Sequence, residues 1–279
     1  MNRNWSVAVS AALLLTAGTV GSVQAQPKFT FRLPEGTTLA YDVVHRTKIE
    51  AKEDGAKMEA SGVLRQRQQW RVVSRDSLGV ATMELSLTQL HFEQTDPTGS
   101  VLKYDSADPK GSDPNLARHL GPLVGQPVKR VDLGPDGVVR QTKHLADQES
   151  NVEELPFMIT VPDALPTKGL RWQRKFAVKV PKDINRGEPV ALRQVCEFKE
   201  ATPRKLVVAV ETELIDHPDD GNLEVFLAQF LRRGTVTLDP MTGTMTGFHL
   251  TVDEQIKDVA GPDSFYSFKS DYKGTLAKD

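Results

Sequence analysis

Cysteine is all but missing from this chain. Cys196 is the single thiol in 279 residues, so no intrachain disulfide can form. No sign of charge prevails either: 35 Lys and Arg stand against 37 Asp and Glu, a formal net charge of -2. Proteins that bind nucleic acid through its phosphates need a concentrated positive field, so nucleic acid is not an expected partner. Beyond residue 25 no apolar run is long enough for a helix to cross about 30 Å of hydrocarbon. The glycine period of collagen and the heptads of a coiled coil are absent too.

The usual marks of catalysis are equally scarce. The histidines, His45, His91, His119, His144, His217 and His249, are scattered, with no His-Xaa-Xaa-Xaa-His or Cys-Xaa-Xaa-Cys spacing. Asp216, Asp219 and Asp220 gather around His217, but in a Pro-Gly context that reads as a solvated turn. Neither a metal nor another cofactor is expected. There is no Gly-Xaa-Ser-Xaa-Gly elbow and no phosphate-cradling glycine loop. Ser106, in Tyr104-Asp105-Ser106, has no identifiable base and reads as a turn cap. A glycosidase needs two carboxylates about 5 to 9 Å apart. Nothing in the sequence singles out such a pair, and Glu153-Glu154 read as surface residues of a helix.

What is present begins with an export signal. Arg3 precedes an apolar or small stretch from Val7 to Val20, centred on Leu13, Leu14 and Leu15. Val23-Gln24-Ala25 then offers small residues where a signal peptidase reads, which predicts residues 1–25 as a cleaved signal peptide and a periplasmic or secreted product. In an oxidising compartment a lone thiol pairs between chains or lies buried. Cys196 falls in the alternation Leu192, Gln194, Cys196, Phe198, which favours a core position in a strand.

The remainder reads as strands, and the fold class expected is all-β, mainly antiparallel, with a few short helices. Phe29, Phe31 and Leu33 alternate with polar residues, as do Leu39, Tyr41 and Val43. Between 80 and 94, Met83, Leu85, Leu87 and Gln89 form the apolar parity, and Thr82, Glu84, Ser86 and Thr88 the polar one. Hairpin turns are expected at Glu53-Asp54-Gly55, Gly134-Pro135-Asp136-Gly137 and Asp239-Pro240-Met241-Thr242-Gly243. Short helices are expected in 115–124 and in 146–159, while 226–231 suits helix or strand.

Two units are expected, 26–160 and 161–279, as divergent copies. Leu64-Arg65-Gln66 recurs as Leu192-Arg193-Gln194, Leu33-Pro34 before Tyr41 echoes Leu165-Pro166 before Trp172, and the turn at 131–137 parallels that at 236–243. Each unit would be a curved sheet with an apolar face to cover.

The export signal, Gly36 to Tyr41, Tyr104-Asp105-Ser106, and Leu123-Val124-Gly125 ahead of a hairpin together resemble a family of exported β-rich proteins common in planctomycete-type bacteria. The resemblance covers most of the mature chain and implies export and an all-β fold. It carries over no activity and no binding residues.

One stretch invites a binding site. Arg65, Arg67 and Arg71 share a strand face with Gln69, opposite Gln66, Gln68 and Trp70. That face suits an anionic or sugar-containing ligand, with Trp70 as an aromatic platform, or else it is a solvated face with Trp70 in the core. Phe157, Met158 and Ile159, in the irregular middle, are candidates to line an apolar groove. The expected role is non-enzymatic, binding or structural, in the cell envelope, with an apolar ligand or lipid, a glycan or an envelope protein as partner. A hydrolase acting on envelope glycans or esters is the alternative.

Overall fold

The computed structural model describes residues 28–146 and 159–277. The predicted signal peptide, and the helix expected in 146–159 save for its end residues, lie outside the described residues. Among the described residues twelve strands run β1 (Thr38–Glu53), β2 (Ala56–Arg75), β3 (Ala81–Thr95), β4 (Val101–Asp105), β5 (Pro127–Leu133), β6 (Val139–His144), β7 (Arg171–Val178), β8 (Val190–Thr202), β9 (Lys205–Leu214), β10 (Arg233–Asp239), β11 (Thr244–Lys257) and β12 (Phe265–Leu276). The fold is all-β, and the strand pairs are antiparallel throughout.

The strands form one sheet, not two, in the order β6-β5-β3-β2-β1-β12-β11-β10-β9-β8-β7, with β4 attached to β3. The first and last strands of the chain join its two parts: β1 and β12 pair from Tyr41↔Leu276 to Lys52↔Phe265. The β1–β2, β5–β6, β8–β9 and β10–β11 connections are tight turns, while β3–β5, β7–β8 and β9–β10 are joined by longer segments that include helices. Among the described residues the sheet ends at β6 and β7, which do not pair with each other.

Parity decides what each strand buries. Tyr41 and Val43 on β1, Trp70 and Val72 on β2, and Met83, Leu85 and Leu87 on β3 meet Phe198, Val208, Leu238 and Met245 in one apolar cluster. The Tyr41 hydroxyl, out of reach of water, donates to the Met245 carbonyl at 2.8 Å. Cys196 is buried in this cluster, between Trp172 on β7 and Val210 on β9. Burial pushes its thiol up to about 12, so it is an inert core group.

Among the described residues three α-helices supplement the sheet. Helix α1 (Pro114–Leu120) is capped by Asp113, whose carboxylate accepts from the Asn115 and Leu116 amides, and it overlaps the segment 115–124 expected to be helical, starting one residue earlier. Helix α2 (Lys182–Asn185) is one turn. Helix α3 (Gly221–Ala228) resolves the ambiguous apolar run near 226 and buries Leu223, Leu227 and Ala228. Ala228 meets Val252, Ile256 and Phe268 of the sheet, while Leu223 and Leu227 meet Val180.

The alternation Phe29, Phe31, Leu33 belongs to no strand. Its side chains are buried as expected, but the segment crosses the sheet's turns instead of joining a ladder. The Phe31 amide donates to Pro135 in the β5–β6 turn, and the Arg32 amide to Gly243 in the β10–β11 turn. Residue 161 adds to this clasp, its amide donating to Asp136.

Candidate functional site

The polar face proposed from sequence forms on β2. Arg65, Arg67, Gln69 and Arg71 point outward, and Gln66, Gln68, Trp70 and Val72 inward. Trp70 has no exposed surface. Its indole N–H faces Gln68 Oε1 at 3.4 Å, and the Gln68 amide donates to Gln66 Oε1 at 2.8 Å. A stacking platform needs an open ring face, so Trp70 serves as core, the second of its two expected placements.

Arg65 and Arg67 do come together, in an open groove of about 460 Å³ lined also by Asp42, Gln89, His91 and Asp105. Register explains the assembly. Asp42 on β1 stands opposite Arg67, which stands opposite Gln89 on β3; Val44, Arg65, His91 and Asp105 make the adjoining row across β1, β2, β3 and β4. Arg71 is not part of it. Further along β2, Arg71 meets Glu84 at 3.2 Å, and Glu84 also accepts from Arg130.

His91 and Gln89 escaped the sequence reading because of one residue. The stretch around Arg67 offers no hint of them, yet β3 carries a bulge: Arg67 pairs with Gln89 and Gln68 with Leu87, which leaves Thr88 unpaired. Parity flips there, so Gln89 and His91 face outward with the arginines and Leu90 turns inward. Gln89 therefore does not belong to the apolar set expected for it. The readable signal was a break in phase, from apolar 83, 85 and 87 to apolar 90 and 92.

Charges in the groove are partly committed. His91 Nδ1 lies 3.2 Å from an Asp105 oxygen, and Asp105 also accepts from the Ala107 amide at 2.8 Å. The Ala107 amide first, and His91 second, hold the Asp105 carboxyl below the usual carboxylate range. Arg67 approaches Asp42 at 3.8 Å. Arg65 makes no ion pair among the described residues, and neither does His91 Nε2 make a hydrogen bond. Ser106 Oγ accepts from the Leu90 amide at 3.0 Å and the Ser106 amide donates to the Leu90 carbonyl, a cross-strand contact that extends the β3–β4 pairing and not the turn cap expected for it.

Of the expected apolar groove residues, Phe157 and Met158 lie outside the described residues. Ile159 is buried in the main core, its carbonyl packed against the Gly137 turn. Among the described residues no group of three or more His, Cys, Asp or Glu is arranged to hold a metal ion. Asp220, one of the acids around His217, caps α3 by accepting from the Asn222 amide at 2.8 Å. No helix among the described residues is long and apolar enough to cross a membrane.

No family model matches the chain, and no curated protein does. Among solved structures, it is similar to DynF from the dynemicin biosynthesis pathway of Micromonospora chersina at 9% identity, covering 96% of this chain and 95% of that one, with a TM-score of 0.23. It is also similar to MucB in complex with MucA(peri) at 11% identity, covering 86% and 89%, with a TM-score of 0.14.

Proposed function

We propose that this chain is an exported, non-enzymatic binding protein of the cell envelope, and that its outer groove takes a glycan segment bearing an acidic sugar. The observation that carries the reading is the Arg65 guanidinium, held in a groove without an ion-pair partner among the described residues. A carboxylate fits that fork, because a guanidinium offers two parallel N–H donors. Gln89, Asp42 and Asp105 beside it offer the donors and acceptors that sugar hydroxyls require. The volume lies within the range of small-ligand sites, about 300–1,000 Å³.

Two other readings have less support. An apolar or lipid cargo would occupy the inner face, where the described strands bury their own side chains against one another. A hydrolase would use Asp42 and Asp105 as its carboxylate pair. They stand on β1 and β4, three strand spacings or about 14 Å apart along the sheet, too far for a glycosidase pair. Export, and membership of the exported planctomycete-type family, belong to the same proposal. So does descent from a duplicated unit, supported by the sheet orders β1-β2-β3-β5-β6 and β7-β8-β9-β10-β11, each with a helix between its third and fourth strands, although β4 and α2 have no counterpart in the other half.

Titrating a uronic-acid disaccharide into the protein, with the neutral disaccharide as control, tests the ligand class. The acidic sugar is expected to bind and to move the His91 ring resonances, while Arg65→Ala weakens it about tenfold or more. Equal binding of both sugars, or an unchanged Arg65→Ala variant, refutes it.

A further inference from the structure

Between Asp163 and Asp183 the chain carries Lys168, Arg171, Arg174, Lys175, Lys179 and Lys182 and no acid, although the whole chain is net negative. These cations centre on β7, one of the two ends of the open sheet. Among the described residues β7 pairs with β8 alone. In an antiparallel pair alternate residues aim their N–H and C=O groups at the partner, so the others aim theirs off the sheet. Arg171, Gln173, Lys175 and Ala177 are exposed, while Trp172, Arg174 and Phe176 are half-buried on the core side. Arg171 leaves 71% of its side chain in solvent even while it meets Glu197.

We propose that β7 is a docking edge for an extended segment of another protein, one that alternates acidic and apolar residues and adds as a further strand. Backbone pairing would supply the open ladder, as in other strand additions. Register then dictates side-chain pattern, because residues on an added strand alternate faces in step with β7. Acids would stand on the outer face beside Arg171 and Lys175, and apolar residues on the inner face beside Trp172 and Phe176. A second copy of the chain does not fit this description. Its β7 is as basic as this one, and β6, at the other end, bears Arg140, Lys143 and no acid. Edge-to-edge pairing of copies would oppose like charges.

The test uses the whole mature chain and a short synthetic peptide of alternating Glu and Val, followed by backbone amide exchange. The expected result is binding with new protection at β7 amides. Peptides N-methylated at alternate backbone positions, one set for each edge, separate strand addition from mere charge attraction: the set facing β7 must abolish binding. At about 50 mM salt, Lys175→Glu with Lys179→Glu is expected to weaken the Glu-Val peptide about tenfold and to favour a Lys-Val peptide. The inference is overturned if the peptide does not bind, if both methylated sets bind undiminished, or if protection falls on β6 or on the Arg65 groove. None of these outcomes depends on whether that groove takes a sugar.

Discussion

Glu84 stands on the outer face of β3 between two guanidiniums. Arg71 on β2 and Arg130 on β5 are its direct cross-strand neighbours, and together they cover it. The Arg130 hydrogen bond, followed by that of Arg71, holds its carboxyl below the ordinary value of 4.5, against the effect of burial. A carboxyl lowered on folding contributes stability above its unfolded pKa, and that contribution is lost as pH falls through the folded value. Glu84→Gln is therefore expected to cost about 1–3 kcal/mol at neutral pH in urea unfolding. The gap between parent and variant should hold from pH 8 to pH 6 in that experiment, then narrow below the ordinary glutamate range, at about pH 4. A gap that persists unchanged in acid would mean that the amide loses packing and not charge. Polar parity made Glu84 legible as an outward residue, while its two partners lay hidden, since cross-strand neighbours come from registers that bulges reset.

At the scale of elements, alternation and turn chemistry carried most of the strands. Gln66, Gln68 and Trp70 faced inward as their spacing required, and the turns at Asp54-Gly55 and Pro135-Asp136 joined the strands they were expected to join. Where reading by period failed, backbone pairing had been set by distant chain. Phe29, Phe31 and Leu33 have the period of a strand, but the neighbours they meet are two turns about a hundred residues apart in sequence, and no local pattern records that meeting. The clasp shows in the glycines it needs. Gly137 has φ +79, and a Cβ there would lie 2.3 Å from the Ile159 carbonyl oxygen and 2.8 Å from the Phe31 ring. Gly243, with φ +67, would place a Cβ 2.6 Å from the Arg32 amide nitrogen. Gly137→Ala combines a strained φ with backbone overlap, and is expected to destabilise by about 2–4 kcal/mol in urea unfolding. Gly99→Ala supplies the control: φ is +83 with nothing within 4 Å of the added Cβ, so it should show the smaller cost of φ alone. Equal losses for the two variants would count against a tight clasp.

Two units, 26–160 and 161–279, are what the sequence leads one to expect, and the described strands of both belong to one sheet, a difference with thermodynamic consequences. The seam is not a linker but the β1–β12 ladder, long, regular and central in the strand order. The main core draws on both sides of it, from Trp70 and Leu85 to Phe198 and Val208, and the segment around Phe31 touches one hairpin turn from each half. Separate domains would each own a core and meet through a small, polar interface. Here neither half can unfold without exposing apolar surface of the other and opening a ladder, so their transitions should be coupled. Calorimetry of residues 26–279 is expected to give one transition, with calorimetric and van't Hoff enthalpies in agreement. Gly137→Ala should shift that single transition downward without splitting it, since the clasp it loosens belongs to both halves. Two resolved transitions, or a calorimetric enthalpy well above the van't Hoff value, would restore 26–160 and 161–279 as independent folding units and reduce the β1–β12 seam to an interface.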